Sequence, residues 1–484
     1  MRIGTNVAAI VANNALQKSQ NNLSTSIERL SSGYKINGSK DDAAGCAISE
    51  KMRAQIRGLS QAQNNTADGV SVLNTAEGAI TEIQSMLTRL KELSVQAAND
   101  VNSDDEREAI QKEIEQINNE IDRISDQTEF NTQSLINGNL SRRVYSDLQG
   151  VNQLSVSDSY TAGVYGITVT EDARQAIAVG AGSITMSSTA SITEEQAGAI
   201  NINGYKISIS EGDTLDKVMG KIIDGVNITG GSAFTVKDLN NDTAANGTDY
   251  AGYVPTADYA GSTLVIMTNQ YGSDQKMNIT CDNAELADIL GIPQAATQDG
   301  IYVEGSDVKA EIATGDDGKR IGFADSAILS TKGTVITVTD VNNKEFSMDV
   351  PGNAAGTVFD DSNNDGQSAA GAGTARTISQ EVTDVGTMSI HVGANQDQVI
   401  VIDIPAITTY SLGTEHMNVM TQYTASRAIS TVDEAINKTN KIRSRIGAYE
   451  NRFDHTTNNL EVSSENLTKS LSTMIDTDMS EEMT

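Results

Sequence analysis

The side chains most suited to chemistry are scarce in this chain: three histidines (His391, His416, His455) and two cysteines (Cys46, Cys281) among 484 residues. None of the histidines stands in the His-Glu-x-x-His spacing that brings two imidazoles to one side of a helix around zinc. No phosphate-cradling Gly-x-x-x-x-Gly-Lys loop and no Gly-x-Ser-x-Gly nucleophile turn occurs either. Asp361-Ser362-Asn363-Asn364-Asp365-Gly366 imitates the first half of a calcium loop, but Ala372 occupies the position where a bidentate Glu must close the oxygen shell. A Gly/Asn turn is the better reading of that stretch. Cys46 and Cys281 lie far apart in regions of different composition, so they read as small apolar residues and not as a disulfide. The residues therefore imply no catalytic group, no metal and no cofactor, and argue against an enzyme.

Regular spacing in this chain serves packing. Val432, Thr439, Ile446, Phe453, Leu460, Leu467 and Met474 recur at seven, and Ala435, Ile442, Tyr449, Thr456, Ser463 and Ser470 form a second column offset by three. An a/d pattern of this length predicts one strand of a coiled coil over Ser430–Met474. A lone amphipathic helix leaves its stripe in water, so a partner is required.

The other end of the chain supplies one. Leu16, Leu23, Ile27 and Leu30 stripe a first helix, which should break at Ser31–Gly38, where two glycines mark a turn. Ser39 with Asp42 then predicts an N-cap, followed by a stripe of Ile48, Met52, Ile56 and Leu59. From Val70 the spacing tightens to Leu73, Ala76, Ile80, Ile83, Leu87 and Leu90, continued by Ser94 and Ala97. Ser103 and Glu106 form a capping box that opens a helix striped by Ile110, Ile114, Ile117, Ile121 and Ile124. These two helices predict an antiparallel hairpin, with Ser430–Met474 as the third member. Both chain ends then meet in one bundle.

Residues 141–385 change character, being rich in Gly, Thr, Ser, Asn and Asp, with short alternating runs such as Lys206–Ser210 and Thr337–Thr339 that predict strands. Thr214–Val226 is the one helix candidate there, and Ser389–Val392 with Val399–Ile402 predicts a closing hairpin. All four prolines fall between the helical ends, at Pro255, Pro293, Pro351 and Pro405. Aromatic residues make up only 4% of the chain, so aliphatic cores are expected throughout. Charge follows the same division. The formal net charge is −31; residues 1–140 and 410–484 together carry −10 and the middle −21, which argues against nucleic acid or a membrane surface as partner. The first apolar run, Val7–Ala12, is too short for a signal core or a membrane span.

Several of these stretches resemble bacterial flagellin, the subunit of the flagellar filament. Leu30–Gly33 through Lys40–Ser49, then Glu92–Asn99 and Glu129–Asn131, are similar to its amino-terminal signature. Arg445–Ala448, Asn451–Asp454 and Asn458–Leu460 are similar to its carboxy-terminal pattern, and Gly393–Asn395 resembles its hairpin. Ile202–Ile207 with Thr214, Leu215 and Ile222 is similar to a β-rich module of flagellins and hook-associated proteins, spanning about 199–292 here. The resemblance implies a mixed fold: a long α-helical coiled-coil bundle formed by both chain ends, with a β-rich insert between them. It implies a filament-core helical segment at 1–45, a helical domain with a β-hairpin at 46–140 and 386–475, a variable outer domain at 141–385, and the start of a further core segment at 476–484. Cys46 and Tyr34 stand where the family commonly has Leu. Flagellins usually continue about thirty residues beyond the position of Thr484, so the first ~40 residues of this chain are expected to be mobile and polymerisation to be poor.

The resemblance also implies a filament homopolymer, partnership with an export chaperone and a cap, and passage through the flagellar channel to the outside of the cell. It further implies recognition by Toll-like receptor 5, at positions matched here by Arg89, Leu93 and Glu113. Arg89 and Leu93, four residues apart, are expected to share an exposed face beside the Leu87–Leu90 seam. A hook–filament junction protein or a surface adhesin is the alternative reading.

Overall fold

The computed structural model describes residues 7–157, 160–180, 182–236, 259, 261–292, 300–315, 318–340, 344–352, 359–360, 369–370, 375–383 and 385–483. Asp361–Gly366 and Ala372, the calcium-loop imitation, lie outside them. The chain divides into two compact units; two of the four divisions fall inside long helices, each of which therefore contributes to both, and the other two bracket residues 388–402.

The first unit comprises 1–74, 388–402 and 445–484. Helix α1 (Val7–Ser32) contains no buried residue, and its stripe lies in solvent, with Leu16, Leu23 and Ile27 all more than half exposed. Gly33, at φ +76°, ends the helix in the left-handed region that glycine enters without steric cost. The chain there is strapped to the carboxy-terminal segment: Lys35 N donates to Ile475 O (2.6 Å) and Thr477 N donates to Gly33 O (3.0 Å). Helix α2 (Ala43–Ala97) follows. Its cap is Asp42 and not Ser39, because the Asp42 carboxylate accepts from Ala44 N and Gly45 N, both at 3.0 Å. The first stripe on α2 is only partly buried, since Ile48 is 46% exposed whereas Leu59 and Ala62 pack with Leu460. A hairpin pairs Met388–His391 with Val399–Ile402, and Asn65 Nδ2 donates to His391 O to hold it on α2.

In the second unit, the remainder of α2 buries Ala76, Ile80, Ile83, Leu87, Leu90, Ser94 and Ala97, as their spacing predicts. Helix α3 (Asp104–Gln127) opens on the complete capping box of Ser103 and Glu106. Its buried stripe departs from expectation: Arg107, Ile110, Ile114, Asn118, Ile121 and Ser125 point inward, while Ile117 and Ile124 are half-buried. The polar members are inside because each finds a partner there. Arg107 Nε donates to Ala97 O, a terminal carbonyl of α2; Asn118 Nδ2 donates to Thr414 O; Ser125 Oγ donates to Ile136 O. The long helix Gln422–Ile475 runs antiparallel to α2: Asp433 pairs with Lys91, Asn440 with Gln84, and Arg443 with Gln84 and Glu77. The insert leaves and re-enters through backbone bonds from Ile404 N to Leu140 O and from Ile407 N to Ile136 O.

Among the described residues the insert builds two main cores and a smaller cluster of Ile177, Val179, Phe234, Val265 and Met267. In the first, helix α4 (Leu215–Ile228), capped by Thr214, buries Leu215, Val218, Met219, Ile222 and Val226 completely. It packs with an antiparallel sheet ordered Ile301–Glu304, Lys276–Cys281, Gly198–Ile202, Tyr205–Ile209, and with a three-stranded sheet centred on Thr263–Thr268. The second core lies among two four-stranded antiparallel sheets, one centred on Gly163–Glu171 and Arg376–Val382, the other on Val335–Thr339 and Glu345–Asp349. Its centre corrects the expectation of aliphatic cores. Tyr160, Tyr165, Phe323 and Phe346 pack as edge-to-face and stacked pairs with centroids 5.1–6.0 Å apart.

Candidate functional site

Helices α2 and α3 bring Arg89 and Glu113 together. Arg89 Nε and Nη2 both donate to Glu113 Oε1 (3.0 and 2.8 Å), and Nη1 donates to Glu92 Oε2 (3.1 Å). Hydrogen bonding to Glu113, then to Glu92, raises the Arg89 pKa further and keeps the guanidinium charged. About half of each side chain remains in solvent, 49% for Arg89 and 46% for Glu113. The arrangement is a preformed, exposed ionic clamp across two helices, able to offer donors and acceptors to a partner in one fixed geometry.

Leu93 does not belong to that face. It is 1% exposed, inside the core with Leu90 and Ala97, and not beside Arg89 in solvent. A step of four residues advances 400° around an α-helix, a net 40°. Here that rotation carries the side chain from the solvent edge into the α2 seam, which a reading by spacing alone missed.

The other residues with reactive side chains are dispersed. His391 lies in the hairpin, His416 in the segment before the carboxy-terminal helix, and His455 within that helix. Among the described residues no three His, Cys, Asp or Glu side chains gather as metal ligands would. Cys281 is buried, and burial pushes its thiol pKa up, away from nucleophilic chemistry. No helix among the described residues is long and apolar enough to cross a membrane. The apolar surface that does stand out is α1, where Val7, Ile10, Val11, Leu16, Leu23 and Ile27 are each at least half exposed.

Residues 3–141 match the family model described as bacterial flagellin N-terminal helical region, and residues 429–484 match that of the bacterial flagellin C-terminal helical region. A flagellin of Salmonella typhimurium is 30% identical over 506 residues, covering 99% of this chain and 93% of that protein. A flagellin of Clostridium tyrobutyricum is 39% identical over 239 residues, covering 43% of this chain and 63% of that one. The solved structure of FliC from Burkholderia pseudomallei is similar at 14% identity and a TM-score of 0.23, covering 79% of this chain and 99% of that one.

Proposed function

Since the chain belongs to the bacterial flagellins, structural subunits of the extracellular flagellar filament and not enzymes, we propose that its α2–α3 hairpin is the face recognised by Toll-like receptor 5. The observation that carries this reading is the clamp of Arg89 and Glu113, half exposed and held in register by two hydrogen bonds. Arg89 and Glu113 make the contact. Leu93, buried beneath them, keeps α2 in the position that presents Arg89.

Within the filament, residues 1–140 and 386–484 pack against copies of themselves, covering the apolar stripe of α1, and 141–385 project outward as the variable domain. The charge supports that orientation. The −12 of residues 1–140 and 386–484 allows close approach of like subunits, whereas the −19 of 141–385 sits where water and salt screen it. An export chaperone and a cap are the further partners that membership of the family brings with it.

The test is surface plasmon resonance of the full chain against the receptor ectodomain. An exposed ion pair contributes little to folding, so removing it leaves the helices intact and binding can be read directly. Arg89→Ala and Glu113→Ala should each weaken binding at least tenfold, and the double variant should be little worse than either. A double variant that binds as the unsubstituted chain does would remove the proposal.

A further inference from the structure

The chain carries 65 acidic against 34 basic side chains, so a recess free of carboxylates is unexpected. One exists in the second unit, a cavity of about 540 Å³ where the Lys276–Cys281 strand approaches the start of the carboxy-terminal helix. No Asp or Glu lines it among the described residues; its titratable side chains are Lys276, His416 and Arg427. Lys276 is already compensated by Glu304 at 2.7 Å. Arg427 has no carboxylate partner among the described residues. Its Nη1 donates to Gln275 Oε1 (3.1 Å), and Gln275 Nε2 donates in turn to Gln270 Oε1 (3.1 Å). Gln275 is only 6% exposed, so this relay, with the Tyr423 ring centroid 5.9 Å from Arg427 Cζ, fixes the guanidinium, and its other N–H groups make no hydrogen bond to a described residue. Two amides add capacity. Asn269 accepts from Ser232 Oγ through Oδ1, leaving its NH₂ unengaged, and the Asn227 side chain makes no bond to a described residue.

A second cavity of about 360 Å³ shares Asn203 and Lys276 with the first. Its walls include Tyr205, Tyr302 and Tyr423, with Asp100 and Asp104, which pair with Arg107 at 4.0 and 3.8 Å, as acceptors. Aromatic rings provide flat apolar surface, and carboxylates accept from hydroxyl groups. Both volumes lie in the range of small-molecule sites. The first cavity suits an anion held by a planar guanidinium; the second suits a ring with one apolar C–H face and hydroxyls at its edge.

We propose that these neighbouring cavities bind a short acidic saccharide, with a sugar carboxylate on Arg427 and the adjoining sugar ring against Tyr302 and Tyr423. An inorganic anion gains nothing from an aromatic ring, so the tyrosines distinguish the saccharide from charge capture.

Titration calorimetry of the full chain with trigalacturonate tests this, with neutral galactotriose and sulfate as comparators. Trigalacturonate should bind saturably, and galactotriose at least tenfold more weakly. Arg427→Gln should reduce trigalacturonate affinity at least tenfold. Tyr302→Ala, at a ring 52% exposed and therefore no threat to folding, should reduce it several-fold. Absence of saturation by 10 mM trigalacturonate would overturn the proposal. So would affinity indifferent to Tyr302→Ala, or sulfate binding as tightly as the saccharide.

Discussion

Gly69 and Gly78 lie in the same helix, α2, and a methyl group would act oppositely at the two positions. A Cβ on Gly78 meets nothing within 4 Å, whereas on Gly69 it would approach Phe453 Cζ and Cε1 to 3.0 and 3.1 Å, against a ring that is fully buried. Replacing a helical Gly by Ala gains roughly 0.5–1 kcal/mol of backbone entropy and propensity. Gly78→Ala should therefore raise stability by about that amount, while Gly69→Ala should lower it, because the ring has no room to retreat. Urea midpoints of the two variants measure the signs; equal stabilisation by both would mean that Phe453 does not pack as described. Residue-scale detail of this kind was hidden in the sequence. Residue type pointed to Ile117 and Ile124 as core, yet Asn118 and Ser125 are the buried neighbours. Their burial depends on the carbonyls of Thr414 and Ile136, the first 296 residues away and the second eleven residues on, beyond the end of α3, and no pattern within the helix reveals either. Leu93 illustrates the same limit at the candidate site: no spacing foretold that Arg89 and Glu113 pair across α2 and α3, and spacing alone placed Leu93 in solvent.

At the scale of elements, periodicity was legible wherever hydrophobic burial alone decides the face. The column is buried from Val432 through Thr439, Ile446 and Phe453 to Leu460 and only partly buried at Leu467 and Met474, whereas its companion alternates between buried Ala435 and Tyr449 and partly exposed Ile442 and Thr456. Short strands in a Gly- and Asn-rich insert carry too little pattern to reveal their pairing, so the sheet orders were not readable. Helix α4 is the exception, because polar chemistry at its start is local. Asp213, just before the Thr214 cap, accepts from Lys217 Nζ (2.8 Å), Lys221 Nζ (2.6 Å) and Ser210 N (3.0 Å). These bonds, that to Lys217 foremost, depress its pKa well below the ordinary 3.8. A depressed carboxylate stabilises the fold fully above its unfolded value and loses that contribution as pH falls through the folded one. The stability gap between the unsubstituted chain and Asp213→Asn should accordingly be widest at neutral pH and shrink progressively below about pH 4. Chemical denaturation of both proteins across pH 7 to 2 gives the comparison; a gap independent of pH would refute the role assigned to Asp213.

For the whole molecule, the division of charge and proline between ends and middle carried most of the architecture. Long helices exclude proline, subunits that stack avoid strong mutual repulsion, and an outward domain tolerates both proline and charge. This asymmetry, joined to membership of the flagellins, supports the central proposal that copies of the chain assemble through their helical ends and display 141–385 on the outside. Immunogold electron microscopy of the source bacterium, with antibody raised against residues 141–385, tests it most directly. Gold distributed along the whole length of the filament is the expected result. Gold confined to the filament base, or scattered on the cell body, would contradict it.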